Sequence, residues 1–124
     1  MNIIGKATSI NVRKVLWTCA ELALPYTRED WNETHAALNP NGMVPVLVDG
    51  GFVLWESNTI CRYLCARHGS ALLDFTLADV VLGLSVNRWM MTPMAKPAYR
   101  RVTAYYDRLN ERSGFREFGR NGVA

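Results

Sequence analysis

The chain has 124 residues, 49% of them hydrophobic and 20% charged, and a formal net charge of +3. That length suits one compact domain, or a domain with an appendage, and no apolar run reaches the roughly 20 residues of a membrane-spanning helix. The excess charge comes from arginines between Arg100 and Arg120, but Asp107, Glu111 and Glu117 are interleaved with them, which suits a solvated helix face and gives no expectation of nucleic-acid binding.

In chain order, residues 1–7 are short and partly apolar, as for a first strand. Asn11 is placed to cap a helix whose Val12, Val15, Leu16, Cys19, Ala20 and Ala23 form a 3.6-period stripe ending at Leu24-Pro25. Tyr26 to Trp31 reads as a second strand, followed by a polar stretch with a short helical turn around Ala36 to Leu38. Asn39-Pro40-Asn41-Gly42 is turn chemistry, and Asp49-Gly50-Gly51 joins two apolar runs, Val46 to Val48 and Val53 to Trp55, into a hairpin. Pro45 stands at a strand start, where the missing N–H is tolerated. Glu56-Ser57 opens a helix running to about Arg67, with Ser57 a suitable N-cap. Free backbone N–H groups, a partial positive field and a hydroxyl at that helix start suit a small carboxylate.

Past His68-Gly69-Ser70 the pattern becomes helical. Thr76-Leu77-Ala78-Asp79 reads as a capping box, with Phe75 and Val80 as its hydrophobic staple. The helix that follows, with Val80, Val81, Leu84, Trp89 and Met90, is apolar enough to expect burial. After Pro93 and Pro97, Ala98 to about Arg112 reads as a further helix stopped by Ser113-Gly114, with Phe115 to Ala124 as a tail.

The order Asn39-Pro40-x-Gly42-x-Val44-Pro45-x-Leu47-x-Asp49, then Leu54-x-Glu56-Ser57, then Ile60-Cys61-Arg62-Tyr63-Leu64, resembles the glutathione-binding half of cytosolic glutathione transferases, over residues 1 to about 70. The resemblance implies an α/β thioredoxin-like N-terminal domain, residues 1–73, with a four-stranded mixed sheet and helices. A shortened all-α portion, residues 74–124, follows it. It implies a cis Val44–Pro45 bond, backbone pairing of Val44 with the cysteinyl part of glutathione, and Glu56 and Ser57 on the γ-glutamyl carboxylate and amine. The serine-type, theta-like branch places Ser9 as the catalytic hydroxyl that stabilises the thiolate. Asn11 is the second candidate there and joins the glutathione-binding set. Against this, Ser9 or Asn11 has the ordinary alternative of capping the first helix. Helix N-terminal amides and the charges of Arg13 and Lys14 are expected to favour the thiolate as well.

Phe75 to Asp79 resembles the capped central helix of the family's C-terminal domain. In the family a pair of long helices precedes that motif, whereas here Leu72-Leu73-Asp74 runs directly into it, as after an internal deletion. Apolar surface on the helices on either side is then uncovered, so a homodimer or domain-swapped oligomer is expected. The function implied is a glutathione transferase, with glutathione as co-substrate, a small electrophile as partner and no permanently bound cofactor. The alternative is a non-catalytic glutathione-binding or oligomerising module. Three cysteines without a leader point to a reducing, cytoplasmic setting. Cys61, Cys65 and His68 share a helix face but lack a further ligand, so no metal is expected. The absence of C-x-x-C speaks against a dithiol oxidoreductase. Cys19 reads as a buried small hydrophobe, and Trp89, Met90, Met91 and Met94 as core more than as an electrophile pocket.

Overall fold

The computed structural model describes residues 1–68 and 77–122. The capping box at Thr76, the staple at Phe75 and the 73/74 boundary lie outside the described residues.

Four short strands form one sheet in the order β2-β1-β3-β4. β1 (Asn2–Ile4) runs parallel to β2 (Thr27–Glu29), with Ile3 opposite Arg28, and antiparallel to β3 (Val46–Asp49), with Ile3 opposite Leu47. Parallel neighbours need a crossover, and α1 (Ile10–Glu21) supplies it. β3 turns through Gly50-Gly51 into β4 (Phe52–Trp55), with Asp49 opposite Phe52. Gly50 sits at φ +64°, the left-handed region that the two-residue hairpin requires and glycine adopts without penalty. A 3-10 helix, Glu33–Leu38, leads from β2 towards β3, and α2 (Ser57–His68) follows β4. This is the thioredoxin-like α/β arrangement expected from the order of the elements. The helices α3 (Leu77–Met91) and α4 (Arg100–Leu109) then follow. No helix among the described residues is long and apolar enough to cross a membrane.

The core is built around α1, which is buried on two sides. One side carries Val12, Val15, Leu16 and Cys19, the anticipated stripe, towards Ile3, Leu47, Ile60 and Leu64. Ala20 and Ala23, assigned to the same stripe, are exposed. Ala23 instead closes the helix at φ +51°, with Ala23 N–H donating to the Ala20 carbonyl and Leu24 N–H to that of Cys19, a left-handed C-terminal cap formed without glycine. Thr18 faces Cys61 of α2, and the second side, Arg13 and Trp17, is buried by tertiary partners.

Those partners come from the C-terminal half, where two expectations fail. The helix expected to run from Ala98 to about Arg112 and stop at Ser113-Gly114 instead spans Arg100–Leu109, and Gly114 is itself helical (φ −61°, ψ −36°) and leads into a π-helical turn, Phe115–Gly119. Phe115 is fully buried, its ring 5.2 Å from Trp17 and edge-on to Tyr106 at 5.4 Å. Small residues make this approach possible: a Cβ on Gly114 would stand 2.5 Å from Trp17 Cδ1, and one on Gly83 would stand 2.8 Å from Leu109 Cδ1. Glu21 locks the contact, accepting from Trp17 Nε1 at 2.8 Å and from Arg112 Nε and Nη2 at 3.0 and 2.6 Å. The supposed tail is therefore part of the core. α3 was expected to be buried generally; among its described side chains it buries Val80, Gly83, Leu84 and Asn87, an i, i+3, i+4, i+7 stripe, and leaves Leu82 and Met91 exposed.

Candidate functional site

Loops at one end of the sheet gather the residues singled out from sequence. Ser9, not Asn11, takes the N-cap position of α1, with extended backbone (φ −68°, ψ 126°) and its carbonyl accepting from Arg13 N–H at 2.9 Å. Its hydroxyl makes no capping hydrogen bond. Asn11 lies in the first turn, where its Oδ1 accepts from Ser57 Oγ at 3.5 Å, linking α1 to α2.

The Val44–Pro45 bond is cis, directly before β3. The entry to α2 also differs by one residue from expectation. Glu56 provides the cap, its carbonyl accepting from Ile60 N–H at 2.9 Å, and Ser57 is the first helical residue. Glu56 holds φ +70°, a conformation that a non-glycine residue keeps only where its surroundings impose it and that clusters at ligand sites. The first-turn amides of α2 precede the first intrahelical bond and so have no acceptor within the helix.

Two adjoining cavities result. One, of about 170 Å³, is lined by Asn11, Asn39, Met43, Val44, Pro45, Glu56 and Ser57. The other, of about 390 Å³, is lined by Lys6, Thr8, Ser9, Trp31, Gly42 and Val44. They meet at Val44. The structure thus brings Asn11, Val44, Pro45, Glu56 and Ser57 into one cleft and sets Ser9 in the next.

Several lining residues had gone unassigned. Asn39 is buried and braces the loop between the 3-10 helix and β3, its Nδ2 donating to the Met43 carbonyl at 2.8 Å and its Oδ1 accepting from Asn41 N–H at 3.0 Å. The Asn-Pro and Asn-Gly pairs signalled a turn, and side-chain-to-backbone bonding of this kind is what asparagine brings to turns. Trp31 lies beyond β2, directly before Asn32, which caps the 3-10 helix in a reciprocal pair with His35. Nothing in the sequence marks Lys6, which Ser9 N–H joins through its carbonyl at 3.0 Å. Gly5, at φ +142°, closes the end of β1 against the cleft; a Cβ there would lie 2.6 Å from Val12 Cγ2 and 2.9 Å from Val44 Cβ.

The charges divide differently from expectation. Lys14 Nζ donates to Asn58 Oδ1 at 3.3 Å, and burial pulls its pKa down while Cys61 and Glu56 act in the opposite sense. Arg13 is turned away from the cleft. It is buried and donates to Asn121 Oδ1 at 3.1 Å, and burial, then Arg88, lower its pKa. Arg13 rides on the second buried side of α1, so its charge serves the C-terminal contact and not the helix start.

Cys61 is buried and accepts from Thr18 Oγ1 at 3.2 Å, and burial pushes its thiol up to about 11. Cys19 is buried and pushed up to about 12. Cys65 is half-buried and His68 exposed. Among the described residues no three His, Cys, Asp or Glu side chains are grouped to hold a metal ion. Trp89 stacks on Tyr99 at 6.1 Å and lines an apolar hollow of about 360 Å³ with Val86, Pro97 and Val102.

The thioredoxin-like sheet thus carries a cis proline before β3 and an acidic cap of positive φ at the start of α2. Residues 8–67 match the family model described as glutathione S-transferase, N-terminal domain. The glutathione S-transferase GstB of Escherichia coli K12 is 44% identical over 79 residues, covering 56% of this chain and 38% of that protein. The probable glutathione S-transferase GSTF2 of rice is 32% identical over 111 residues, covering 78% of this chain and 51% of that one. The chain thus spans from 38% to 51% of the length of these relatives. A theta class glutathione S-transferase from Xanthomonas axonopodis pv. citri, solved with glutathione bound, has the same fold, with a TM-score of 0.84 at 23% identity over 95% of this chain and 96% of that one. Over residues 8–67, the chain is similar to the N-terminal domain of the glutathione S-transferase family.

Proposed function

We propose that the chain binds glutathione and holds its thiol as the thiolate for attack on a small electrophile. One observation carries this reading: Ser9 and the Glu56-Ser57 helix start line two cavities that meet at Val44. The Glu56 carboxylate takes the γ-glutamyl amine, and the Ser57 hydroxyl and first-turn amides of α2 take the carboxylate. The Val44 backbone pairs with the cysteinyl residue, and Pro45 shapes that edge. Asn11, the acceptor of the Ser57 hydroxyl proton, yields that proton to the carboxylate, and its amide donates to Ser57 Oγ in turn. Ser9, its hydroxyl unused in capping, donates to the thiolate. Glutathione bound to a chain of similar length and fold adds support.

The energy required is modest. Lowering a thiol pKa by two units takes about 2.7 kcal/mol, and a hydrogen bond to a charged group contributes about 1.5–3 kcal/mol. The N-terminal field of α1 adds about 0.3–1 kcal/mol. With Arg13 removed from the site, Ser9 and that field are sufficient.

A second reading is a module that holds glutathione without transferring it. It is favoured by an open groove of about 240 Å³ between α2 and α3, lined by Asn58, Arg62, Ala78, Val81 and Leu82. Leu82 is 53% exposed there, and we assign this face to a homodimer or swapped oligomer; a monodisperse monomer in light scattering would sink the assignment. Free thiols at all three cysteines fit action in the cytoplasm. The test is calorimetric titration with glutathione, comparing the chain with Glu56→Ala, then a chromogenic-electrophile assay with Ser9→Ala. Binding weakened by Glu56→Ala, with turnover lost in Ser9→Ala, supports the enzyme. Binding without turnover supports the module, and no binding refutes both.

A further inference from the structure

The larger cavity contains two side chains that the contacts proposed above for glutathione do not use. Lys6 and Trp31 line it together with Thr8, Ser9, Gly42 and Val44. The turn in which Ser9 N–H donates to the Lys6 carbonyl keeps Lys6 beside the hydroxyl. Lys6 is exposed, and its ammonium has no hydrogen bond or ion pair among the described residues. Trp31 is half-buried and held from behind by His35, with ring centroids 5.8 Å apart. His35 is fixed in turn by accepting from Asn32 N–H at 3.1 Å. No acidic residue lines the cavity. The two acids at the end of β2 are engaged elsewhere: Glu29 lies 3.6 Å from His35 Nε2, and Asp30 pairs with Arg28. With the N-terminus of α1 opening onto it, the cavity combines a fixed aromatic wall with an uncompensated positive charge. Its volume lies within the roughly 300–1,000 Å³ of small-ligand pockets.

We propose that Lys6 and Trp31 are specificity-determining residues that select a planar aromatic electrophile bearing an anionic group, such as a halonitrobenzoate. This rests on the reading of the adjoining cleft as the glutathione site. Trp31 stacks against the arene, and Lys6 pairs with its carboxylate. Glutathione gives up its thiol proton to solvent, and its sulfur attacks the ring carbon bearing the halogen. A C–S bond forms, the C–halogen bond breaks, and the halide leaves with the bonding pair. Lys6 also offsets negative charge that builds on the ring during the addition.

Affinity for the products tests this without requiring turnover. Calorimetry with glutathione, S-(2-nitrophenyl)glutathione and S-(4-carboxy-2-nitrophenyl)glutathione is run on the full chain, Lys6→Met and Trp31→Ala, with circular dichroism confirming the fold of each. The carboxylated conjugate should bind about fivefold tighter than the neutral one, the upper range for an exposed ion pair. Lys6→Met should abolish that preference and leave glutathione affinity within about twofold. Trp31→Ala should weaken both conjugates by about tenfold relative to glutathione. No preference in the unmodified chain would overturn the proposal. So would equal loss for all three ligands in Lys6→Met, which would place Lys6 on a carboxylate of the tripeptide. Failure of glutathione itself to bind the unmodified chain would instead overturn the underlying site and this inference with it.

Discussion

Replacing Phe115 by alanine tests whether the C-terminal turn belongs to the core. The ring has no exposed surface and packs between Trp17 at 5.2 Å and Tyr106 at 5.4 Å. Removal of a fully buried phenylalanine costs about 3–5 kcal/mol through lost transfer energy and the cavity left behind. Two aromatic pairs, each contributing about 0.5–1.5 kcal/mol beyond area, place this site in the upper half of that range. Relaxation is hindered because Trp17 is held by Glu21 and, through it, by Arg112. A domain of this size has a total stability on the order of 5–15 kcal/mol, so Phe115→Ala should remove about a third or more. The melting temperature should fall by about 15 °C, from an unfolding entropy of about 2.1 cal/mol/K per residue. Urea denaturation, followed both by tryptophan fluorescence and by far-ultraviolet circular dichroism, measures the cost. A change below about 0.5 kcal/mol, the level of a surface substitution, would refute the integration of residues 113–119. Two separated transitions would refute the single core.

Two further outcomes are expected. Gly5→Ala must place a methyl group 2.6 Å from Val12 Cγ2 and 2.9 Å from Val44 Cβ at φ +142°; backbone strain of about 1–3 kcal/mol adds to overpacking of about 1–3 kcal/mol. Stability in urea and glutathione affinity should fall together, because Val44 is displaced; unchanged values of both would contradict the close approach. The thiols should behave unequally. Cys65 reacts with a disulfide reagent in the folded protein, whereas Cys19 and Cys61, buried and pushed up to about 12 and about 11, react only on unfolding. The same two groups give an alkaline limb to stability. Because the folded state binds their protons more tightly than the unfolded chain, with its ordinary value of 9.0, stability is retained below about pH 9 and declines as pH rises towards 11 and 12. Three fast thiols, or a flat denaturation midpoint across that range, would contradict these assignments.

The sequence by itself determined the thioredoxin-like order of elements, the Gly50-Gly51 hairpin, the inner stripe of α1, the cis bond before Pro45 by family likeness, and the grouping of Val44, Pro45, Glu56 and Ser57. Each of these is written in residues close along the chain: turn chemistry, a period of two or of 3.6, and a motif of fixed spacing. Even there, the cap of α1 fell to Ser9 of the two candidates Ser9 and Asn11, and that of α2 moved from Ser57 to Glu56, because several adjacent residues can cap and only the packed helix selects one. The tertiary structure decided what depends on partners distant in sequence. It buried the second side of α1, with Trp17 meeting Phe115 and Arg13 meeting Asn121, and so turned a predicted tail into core and a predicted site cation into a structural one. It also brought Lys6 and Trp31 to the same cavity as Ser9. No local pattern encodes such pairings. They follow from sheet order and helix docking, which the chain settles only when its apolar faces are buried together.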